Sequence, residues 1–219
     1  MPKKYLRATL FGPQGCGKGT QGQLLADRFD VPLIGVGEMF RREILANTNL
    51  GKLAKKYVEG GALAPDELTN GIVGNQLRKT DLSKGFILDG YPRNVEQAMH
   101  IDRVAKLNLA VQIKISDKEA VRRLTGRVQC TACSQVYHLK DAPPIRAGIC
   151  VLCGGRLVRR DDDTEELILN RLANYHFMTE PLMTYYRQRG ILLSINGEQA
   201  IPYVFEGMIK KLSKLGFKP

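Results

Sequence analysis

The glycine-rich segment 12–20, Gly-Pro-Gln-Gly-Cys-Gly-Lys-Gly-Thr, constrains the fold more than any other part of the chain. It follows an apolar run at 5–11, which predicts a strand, and precedes a run at 21–29 whose apolar residues recur at helical spacing. Glycines in a strand-to-helix turn allow positive φ angles and let several backbone N–H groups face one anion. The sequence therefore predicts a phosphate-binding loop at the N-terminus of a helix.

Lys18, Gly19 and Thr20 close this segment and identify its pattern. Gly-x4-Gly-Lys is the pattern of the P-loop, whose lysine ammonium can follow a phosphoryl group during transfer. Gly19 stands where most P-loops place a magnesium-binding Ser or Thr, and the hydroxyl comes one residue later, at Thr20. Cys16 is interpreted as a small inert residue, with an acidified, reactive thiol as the alternative. The same residues could form a glycine-rich surface turn with an exposed lysine, but the predicted strand and helix on either side favour the phosphate site.

Strands and helices alternate along the rest of the chain. The run 85–90, Gly-Phe-Ile-Leu-Asp-Gly, is typical of a buried parallel strand whose carboxyl end opens into a ligand crevice. Asp89 would there order a magnesium ion or its waters, and a turn carboxylate without a ligand is the alternative. The alternation predicts an α/β fold with a parallel sheet covered on both faces. Further strands are expected at 109–115 and 191–195, and a strand or loop at 31–34. Helices are expected at 38–45, 50–57, 118–124 and 204–215, the second of them ending at Gly60–Gly61. Two further helices are expected, one from Pro65 toward Lys79 and one from Asp162 to a break at Glu180–Pro181.

Composition bounds the class of protein. With 219 residues and 43% hydrophobic content, the chain is long enough for one domain with insertions, and we see no apolar run long enough for a membrane-spanning helix or a signal-peptide core. We therefore expect a soluble, cytoplasmic protein whose five cysteines are thiols or metal ligands rather than disulfides. The formal charge of +11 predicts acidic partners, namely nucleic acid, a membrane surface or small polyphosphates, although a solvated lysine-rich surface accounts for many of the charges.

Four of the cysteines lie in a segment, 126–160, whose composition differs from its surroundings. They form two Cys-x2-Cys pairs, Cys130 with Cys133 and Cys150 with Cys153, separated by 16 residues. That spacing matches a four-thiolate zinc site, and a pair of redox-active dithiols is the alternative. Four thiolates leave no open position for water, so the metal is expected to be structural, and such a site accepts zinc, iron or cobalt. We interpret the segment as an inserted module held together by its metal.

Several ordered motifs resemble those of one known family. They are Gly-x2-Gly-x-Gly-Lys-Gly-Thr at 12–20, Leu-Asp-Gly-Tyr-Pro-Arg at 88–93 with Gln97, Arg-Asp-Asp-Asp at 160–163 with Arg171, and Tyr-His-Phe-Met-Thr-Glu-Pro-Leu at 175–182. Over nearly its whole length the chain resembles bacterial adenylate kinases of the type with a zinc-bearing lid. The resemblance implies a three-layer P-loop NTPase core formed by 1–34, 65–125 and 164–219, an NMP-binding insert at 35–64 and a LID insert at 126–163 that carries the zinc site.

The resemblance also implies roles for individual residues. Catalysis would depend on Lys18, Arg93, Arg127, Arg160 and Arg171. ATP would be bound by Gly15, Cys16, Gly17, Lys18, Gly19, Thr20, Arg123, Arg127, Val136, Tyr137 and Gln199. AMP would be bound by Val36, Arg41, Ala62, Leu63, Ala64, Gly90, Tyr91, Pro92, Arg93, Gln97, Arg160 and Arg171, with Gln97 reading the adenine edge. Asp89 would hold magnesium through water, and Asp162 and Asp163 would position the lid.

By the same resemblance, the chain would transfer a phosphoryl group reversibly from Mg-ATP to AMP, giving two ADP, in adenine nucleotide homeostasis and salvage. The attacking AMP phosphate oxygen is already anionic and needs no general base, so the chemistry depends on arginines that bring two polyanions together and on inserts that exclude water. The expected partners are ATP, AMP and ADP, bound by a monomer that takes neither nucleic acid nor membrane.

Two alternatives stay open. The first is another nucleoside monophosphate kinase, with UMP or CMP as acceptor or GTP as donor. Gln97 favours adenine, whereas Val36 lacks the hydroxyl of the Thr that the family usually has there. The second is a zinc-ribbon nucleic-acid-binding protein, which would explain the basic charge and the cysteines but neither the P-loop nor Asp89.

Overall fold

A computed structural model describes residues 4–59 and 62–219. In chain order its strands are β1 (Leu6–Phe11), β2 (Leu33–Gly35), β3 (Gly85–Asp89), β4 (Leu109–Lys114), β5 (Arg127–Cys130), β6 (Val136–His138), β7 (Leu157–Val158) and β8 (Leu192–Asn196). The helices are α1 (Lys18–Phe29), α2 (Val36–Leu45), α3 (Asn49–Glu59), α4 (Asp66–Lys79), α5 (Val95–Val104), α6 (Asp117–Thr125), α7 (Glu165–Asn174), α8 (Leu182–Gln188) and α9 (Ile201–Lys214), with a π-helical turn at Tyr175–Thr179. In the described part of the chain, none of these helices is both long and apolar enough to cross a lipid bilayer.

A parallel sheet of five strands in the order β2-β3-β1-β4-β8 forms the centre of the fold. Its strands are mainly apolar because helices cover both faces. In β3, for example, Phe86 and Leu88 belong to the apolar cluster on one face and Ile87 to the cluster on the other. The predicted α/β fold is therefore confirmed. Since the carboxyl ends of parallel strands lie at one edge, the glycine-rich loop after β1 and Asp89 at the end of β3 meet there.

Two smaller units project from this core. The first is the helix pair α2 and α3, which pack so closely that a Cβ at Gly51 would lie 2.0 Å from the carbonyl oxygen of Glu43. The second is a three-stranded antiparallel sheet in the order β6-β5-β7. Its core consists of Val128 and Leu157 with two cysteines, Cys130 and Cys150. So small an apolar core requires a further source of stability.

The predicted elements have the expected type and lie close to the expected positions, but α5 and the strands β5, β6 and β7 have no predicted counterpart. A further difference lies at the start of α7. We expected this helix to begin near Asp162, but it begins at Glu165, with Thr164 as its N-cap residue. Asp162 and Asp163 precede the helix because their carboxylates bind arginines instead of helix N–H groups. The predicted break at Glu180–Pro181 is confirmed, since Pro181 is the N-cap of α8. The predicted helix end at Gly60–Gly61 lies outside the described residues.

Candidate active site

The segment 12–17 forms a loop between β1 and α1, as predicted. Gly17 is the N-cap of α1 with a φ of 93°, a left-handed conformation that favours glycine. A Cβ at Gly12 would lie 2.3 Å from the carbonyl oxygen of Ile113, so the loop passes directly against β4. The first helical residue is Lys18, followed by Gly19 and Thr20. The free N–H groups of the helix start and the glycine loop thus share one concave surface, which suits an anion.

The Lys18 side chain folds back over this loop. Its Nζ donates hydrogen bonds to the carbonyl oxygens of Gly12, at 2.8 Å, and Pro13, at 3.0 Å. The ammonium is therefore fixed above the concave surface. Cys16 is 2% exposed, and its Sγ lies 3.6 Å from the Lys18 Nζ. Burial raises the pKa of the Cys16 thiol, against an opposing effect of Lys18. A buried, protonated thiol agrees with the interpretation of Cys16 as an inert residue.

Asp89 lies opposite the start of α1. A Cβ at Gly19 would be 3.4 Å from the Asp89 Oδ2, so the glycine leaves open the space in front of the carboxylate. Burial raises the pKa of Asp89, while Lys18, Arg93 and Arg41 act in the opposite direction. The carboxylate and three cations thus lie within electrostatic reach of one another. Oxygen ligands of this kind suit a magnesium ion or its waters.

The turn 90–93 follows β3 and presents Arg93. The Arg93 Nε donates to the Gly90 carbonyl oxygen at 2.9 Å, within the turn itself. Burial, followed by the nearby Arg171 guanidinium, lowers the pKa of Arg93, while Asp89 opposes the shift. An arginine remains protonated at neutral pH even so. The turn therefore holds a buried positive charge next to another one.

Gln97, the residue expected to read the adenine edge, lies beneath this turn and is 1% exposed. Its Oε1 accepts a hydrogen bond from the Arg93 N–H at 2.8 Å, and its Nε2 donates to the Asp66 Oδ1 at 2.7 Å. Asn94 also donates to the Asp66 carboxylate. Each end of the Gln97 amide therefore has a protein partner already, and one lone pair and one N–H are left for any further contact.

Three arginines and two aspartates form a compact cluster at the base of the second projecting unit. Asp163 is held by Arg127, with contacts of 2.6 and 2.7 Å, and Asp162 is held by Arg160, with contacts of 2.8 and 2.9 Å. Arg171 contacts both aspartates at 3.3 Å. Burial alone would raise the pKa of Asp162, but Arg160 and Arg171 outweigh burial and hold it below its ordinary value. The structure thus brings together three predicted catalytic arginines in one network.

Arg41 of α2 binds the residue that connects the two projecting units, Glu38. It binds Glu38 at 3.0 and 3.2 Å, and burial together with Arg160 lowers the pKa of Arg41. The second Glu38 oxygen accepts a hydrogen bond from the Ser134 hydroxyl at 3.2 Å. Ser134 belongs to the loop between β5 and β6, so α2 and the cysteine-bearing unit are in direct contact.

The remaining predicted site residues surround this centre at different depths. Arg123 is bound to Glu119 at 2.6 Å and to the Gly197 carbonyl at 2.8 Å. The Tyr137 hydroxyl accepts from the Val151 N–H at 3.0 Å within the cysteine-bearing unit. Val36 is 2% exposed, and it is part of the apolar core. Of the others, Val136, Gln199 and Ala62 are exposed, Leu63 and Ala64 are half-buried, and Tyr91 and Pro92 are buried in the turn 90–93.

The four predicted metal ligands converge. The Sγ atoms of Cys130, Cys133, Cys150 and Cys153 all lie within 4.8 Å of one another. A tetrahedral site with metal–sulfur bonds of about 2.3 Å requires sulfur–sulfur distances of about 3.8 Å, which is compatible with this spacing. The Ala132 N–H points to the Cys130 Sγ at 3.4 Å, and a Cβ at Gly155 would lie 2.8 Å from that sulfur. Four convergent thiols with a supporting backbone fit a structural metal ion.

A glycine loop between β1 and α1, an aspartate at the end of the neighbouring strand and a set of arginines under two projecting units define a P-loop protein. An adenylate kinase family model matches residues 10–191. The chain is 43% identical over 212 residues to an adenylate kinase of Caldanaerobacter subterraneus, covering 94% of this chain and 96% of that protein. It is 45% identical over 209 residues to an adenylate kinase of Desulfitobacterium hafniense, covering 93% and 96%. The chain belongs to the adenylate kinase family.

Sequence reasoning missed several residues that shape this site. Glu38 and Ser134, which join the two projecting units, lie 96 residues apart in the chain and show no pattern that would pair them. Asp66 follows Pro65 at the start of α4, and its contact with Gln97 depends on the packing of α4 against α5. Thr179 lies within a motif that was noted, but its partner could not be deduced from the motif.

Proposed function

We propose that this protein is an adenylate kinase that transfers a phosphoryl group reversibly from ATP to AMP, giving two ADP, and serves adenine nucleotide homeostasis and salvage. The observation that carries the proposal is the position of Asp89, whose Oδ2 would lie 3.4 Å from a Cβ at Gly19, between the glycine loop that holds Lys18 and the turn that presents Arg93. Lys18 of the loop, Arg93 of the turn 90–93 and Arg171 of α7 would be the cations around the reacting phosphates. ATP, AMP and ADP are the proposed partners, and we propose a monomer that acts in the cytoplasm.

ATP would bind along the glycine loop. The backbone N–H groups of residues 15–20 would hold its phosphates, and the Lys18 ammonium would exchange its two carbonyl partners for phosphate oxygens. That exchange costs little, because the displaced carbonyls are weaker acceptors than a phosphate. Arg123 and Arg127 would add charge on the donor side, and the base would lie near Val136, Tyr137 and Gln199.

AMP would bind between α2 and the turn 90–93. Arg41 and Arg93 supply the charge for its phosphate, with the backbone and apolar groups of Val36, 62–64 and 90–92 around the nucleoside. Gln97 would contact adenine with the amide lone pair and N–H that its protein partners leave free. Since Asp66 and the Arg93 N–H fix which end of the amide is which, the donor and acceptor offered to the base are also fixed.

The chemistry needs charge stabilisation more than proton transfer. The attacking oxygen of AMP is already anionic, so the barrier comes largely from the repulsion between two polyanions and from competing water. Arg93, Arg160 and Arg171 would neutralise charge on the transferring group, and Asp162 and Asp163 would orient the arginines that the lid brings. The contact of Glu38 with Ser134 supports the proposal that the two units come together and exclude water.

Two metal ions would have separate roles in the protein, one with the substrate and one in the fold. Magnesium bound with ATP would offset the charge of its phosphates, and the Asp89 carboxylate would hold the ion through water. The four cysteines would hold one zinc ion, with iron or cobalt as the alternatives. Closed tetrathiolate sites have no position for substrate, so the role of this metal would be to let the small lid move as one rigid unit.

A coupled assay with a panel of nucleotides tests the proposal. Purified protein with Mg-ATP is given AMP, UMP, CMP or GMP in turn, and then AMP with GTP as donor, while ADP formation is measured. We expect ATP with AMP to be the preferred pair by at least about tenfold in kcat/KM. A higher kcat/KM with UMP or CMP would replace adenylate kinase activity by another nucleoside monophosphate kinase activity, and no transfer to any acceptor would refute the proposal.

A further inference from the structure

Two threonine hydroxyls from other elements donate hydrogen bonds to backbone carbonyls of the turn 90–93. Thr9 in β1 is fully buried, and its Oγ1 donates to the Tyr91 carbonyl oxygen at 2.7 Å. Thr179 in the π-helical turn is 6% exposed, and its Oγ1 donates to the Arg93 carbonyl oxygen at 2.8 Å. The two donors come from elements at opposite ends of the chain. The turn therefore cannot shift relative to the core without losing at least one of these bonds.

Arg93 needs such support because of its charged neighbours. Burial, Arg171 and Arg41 all lower the pKa of Arg93, which means that its charged form is held against desolvation and against two other guanidinium groups. Movement of the turn would relieve this repulsion by letting the guanidiniums separate. The bond from the Arg93 Nε to Gly90 does not prevent that, since both groups belong to the turn and move with it.

The partner of Thr179 is unusual for a threonine in a helix. Thr69, Thr80 and Thr125 each donate to the carbonyl four residues earlier, the common local arrangement. For Thr179 that carbonyl belongs to Tyr175 and accepts from the Glu180 N–H at 2.9 Å, the five-residue bond of a π turn. Thr179 instead reaches Arg93, 86 residues away in the chain. Single π turns occur frequently at functional sites, and here the turn ends on the residue that contacts Arg93.

We propose that Thr179 is a positioning residue for the phosphoryl acceptor, with Thr9 as a second support for the same turn. Its hydroxyl fixes the Arg93 backbone, and Arg93 in turn presents its guanidinium to the acceptor phosphate. Thr179 itself does not touch nucleotide. The inference rests on the proposed function, since it takes Arg93 as a ligand of AMP.

The test compares Thr179→Val with Thr179→Ser in steady-state assays of ADP formation. Valine keeps the shape and leaves the Arg93 carbonyl without this donor, whereas serine keeps the hydroxyl. Leaving such a group unpaired costs about 1–3 kcal/mol, so we expect Thr179→Val to lower kcat/KM for AMP by about tenfold or more. The KM for ATP is expected to stay within about twofold, and Thr179→Ser to recover most of the loss. Thr80→Val, which removes a 2.8 Å hydroxyl–carbonyl bond at the end of α4, is the control and is expected to change neither KM.

Several results would overturn the inference. They are an unchanged kcat/KM for AMP in Thr179→Val, a Thr179→Ser variant as impaired as the valine variant, or equal rises in the KM values for AMP and ATP. If Thr179→Val does not fold, Thr179→Ala is judged by the same criteria through its KM values, which do not depend on the folded fraction. A parent protein that forms no ADP from ATP and AMP would contradict the proposed function instead, so the two failures are distinguishable.

Discussion

Replacing Asp163 with Asn should expose how much of the lid's stability depends on its ion cluster. The Asp163 side chain is 2% exposed and accepts from Arg127 at 2.6 and 2.7 Å and from Arg171 at 3.3 Å. Asparagine has the same shape, but it turns an NH2 group toward guanidinium donors and removes the counter-charge of two arginines. Breaking a buried pair in this way costs about 3–5 kcal/mol. Because Arg127 and Arg171 remain 16% and 13% exposed, we expect the lower end, about 3 kcal/mol of unfolding free energy.

The assay is urea unfolding of the metal-loaded parent, Asp163→Asn and Asp161→Asn. Asp161 lies in the same turn and is exposed, so its replacement changes the net charge equally and should cost no more than about 0.5 kcal/mol. When the assay is repeated in 0.5 M salt, the loss of unfolding free energy in Asp163→Asn should persist, because salt screens buried ion pairs much less than exposed ones. The reasoning would be refuted if the two variants were equally stable, or if salt abolished the difference.

Three further changes test separate parts of the account. His176 contacts Glu180 at 2.9 Å and Asp117 at 3.0 Å, and the hydrogen bond to Glu180, together with Asp117, raises the pKa of His176. The unfolding free energy lost in His176→Gln should therefore be greatest below pH 6.5 and decline as pH rises through the raised pKa. A loss that increases toward high pH would contradict this. Cys150→Ser should reduce bound metal well below the one ion per chain expected of the parent and lower the melting temperature, as measured by elemental analysis and calorimetry, whereas full metal content would exclude Cys150 as a ligand. Val36→Thr should lower the KM for AMP about threefold if the new hydroxyl bonds the nucleotide, and an unchanged KM would show that the contact is unimportant here.

Local pattern was enough to predict the core of this fold. The glycine loop, the apolar run ending in Asp89 and the strand at 109–115 each carry their own signal, because a buried parallel strand is continuously apolar and a phosphate loop needs glycine. The cysteine spacing likewise predicted four sulfurs that converge in the structure. In each of these cases the residues that decide the structure are close together in the sequence.

The parts that escaped prediction depend on contacts between distant segments. Asp162 looks like a residue of the first helical turn, but it pairs with Arg160 and Arg171, and α7 starts after it with Thr164 as the N-cap. Thr179, at the end of the π turn, likewise donates to a carbonyl 86 residues away, and no periodicity reveals that bond. The buried position of Gln97 follows from Asp66 on another helix. Side chains in such networks can be named from sequence, but their partners cannot.

The most direct test of the central claim is the rate of ADP formation from ATP and AMP by Lys18→Met. The account holds that cations around the glycine loop allow two nucleotides that repel each other to react, and Lys18 is the cation fixed above that loop by Gly12 and Pro13. With folding and metal content matched to the parent, we predict that kcat falls by about 10²–10³-fold. A Lys18→Met protein that forms ADP as fast as the parent would contradict the account.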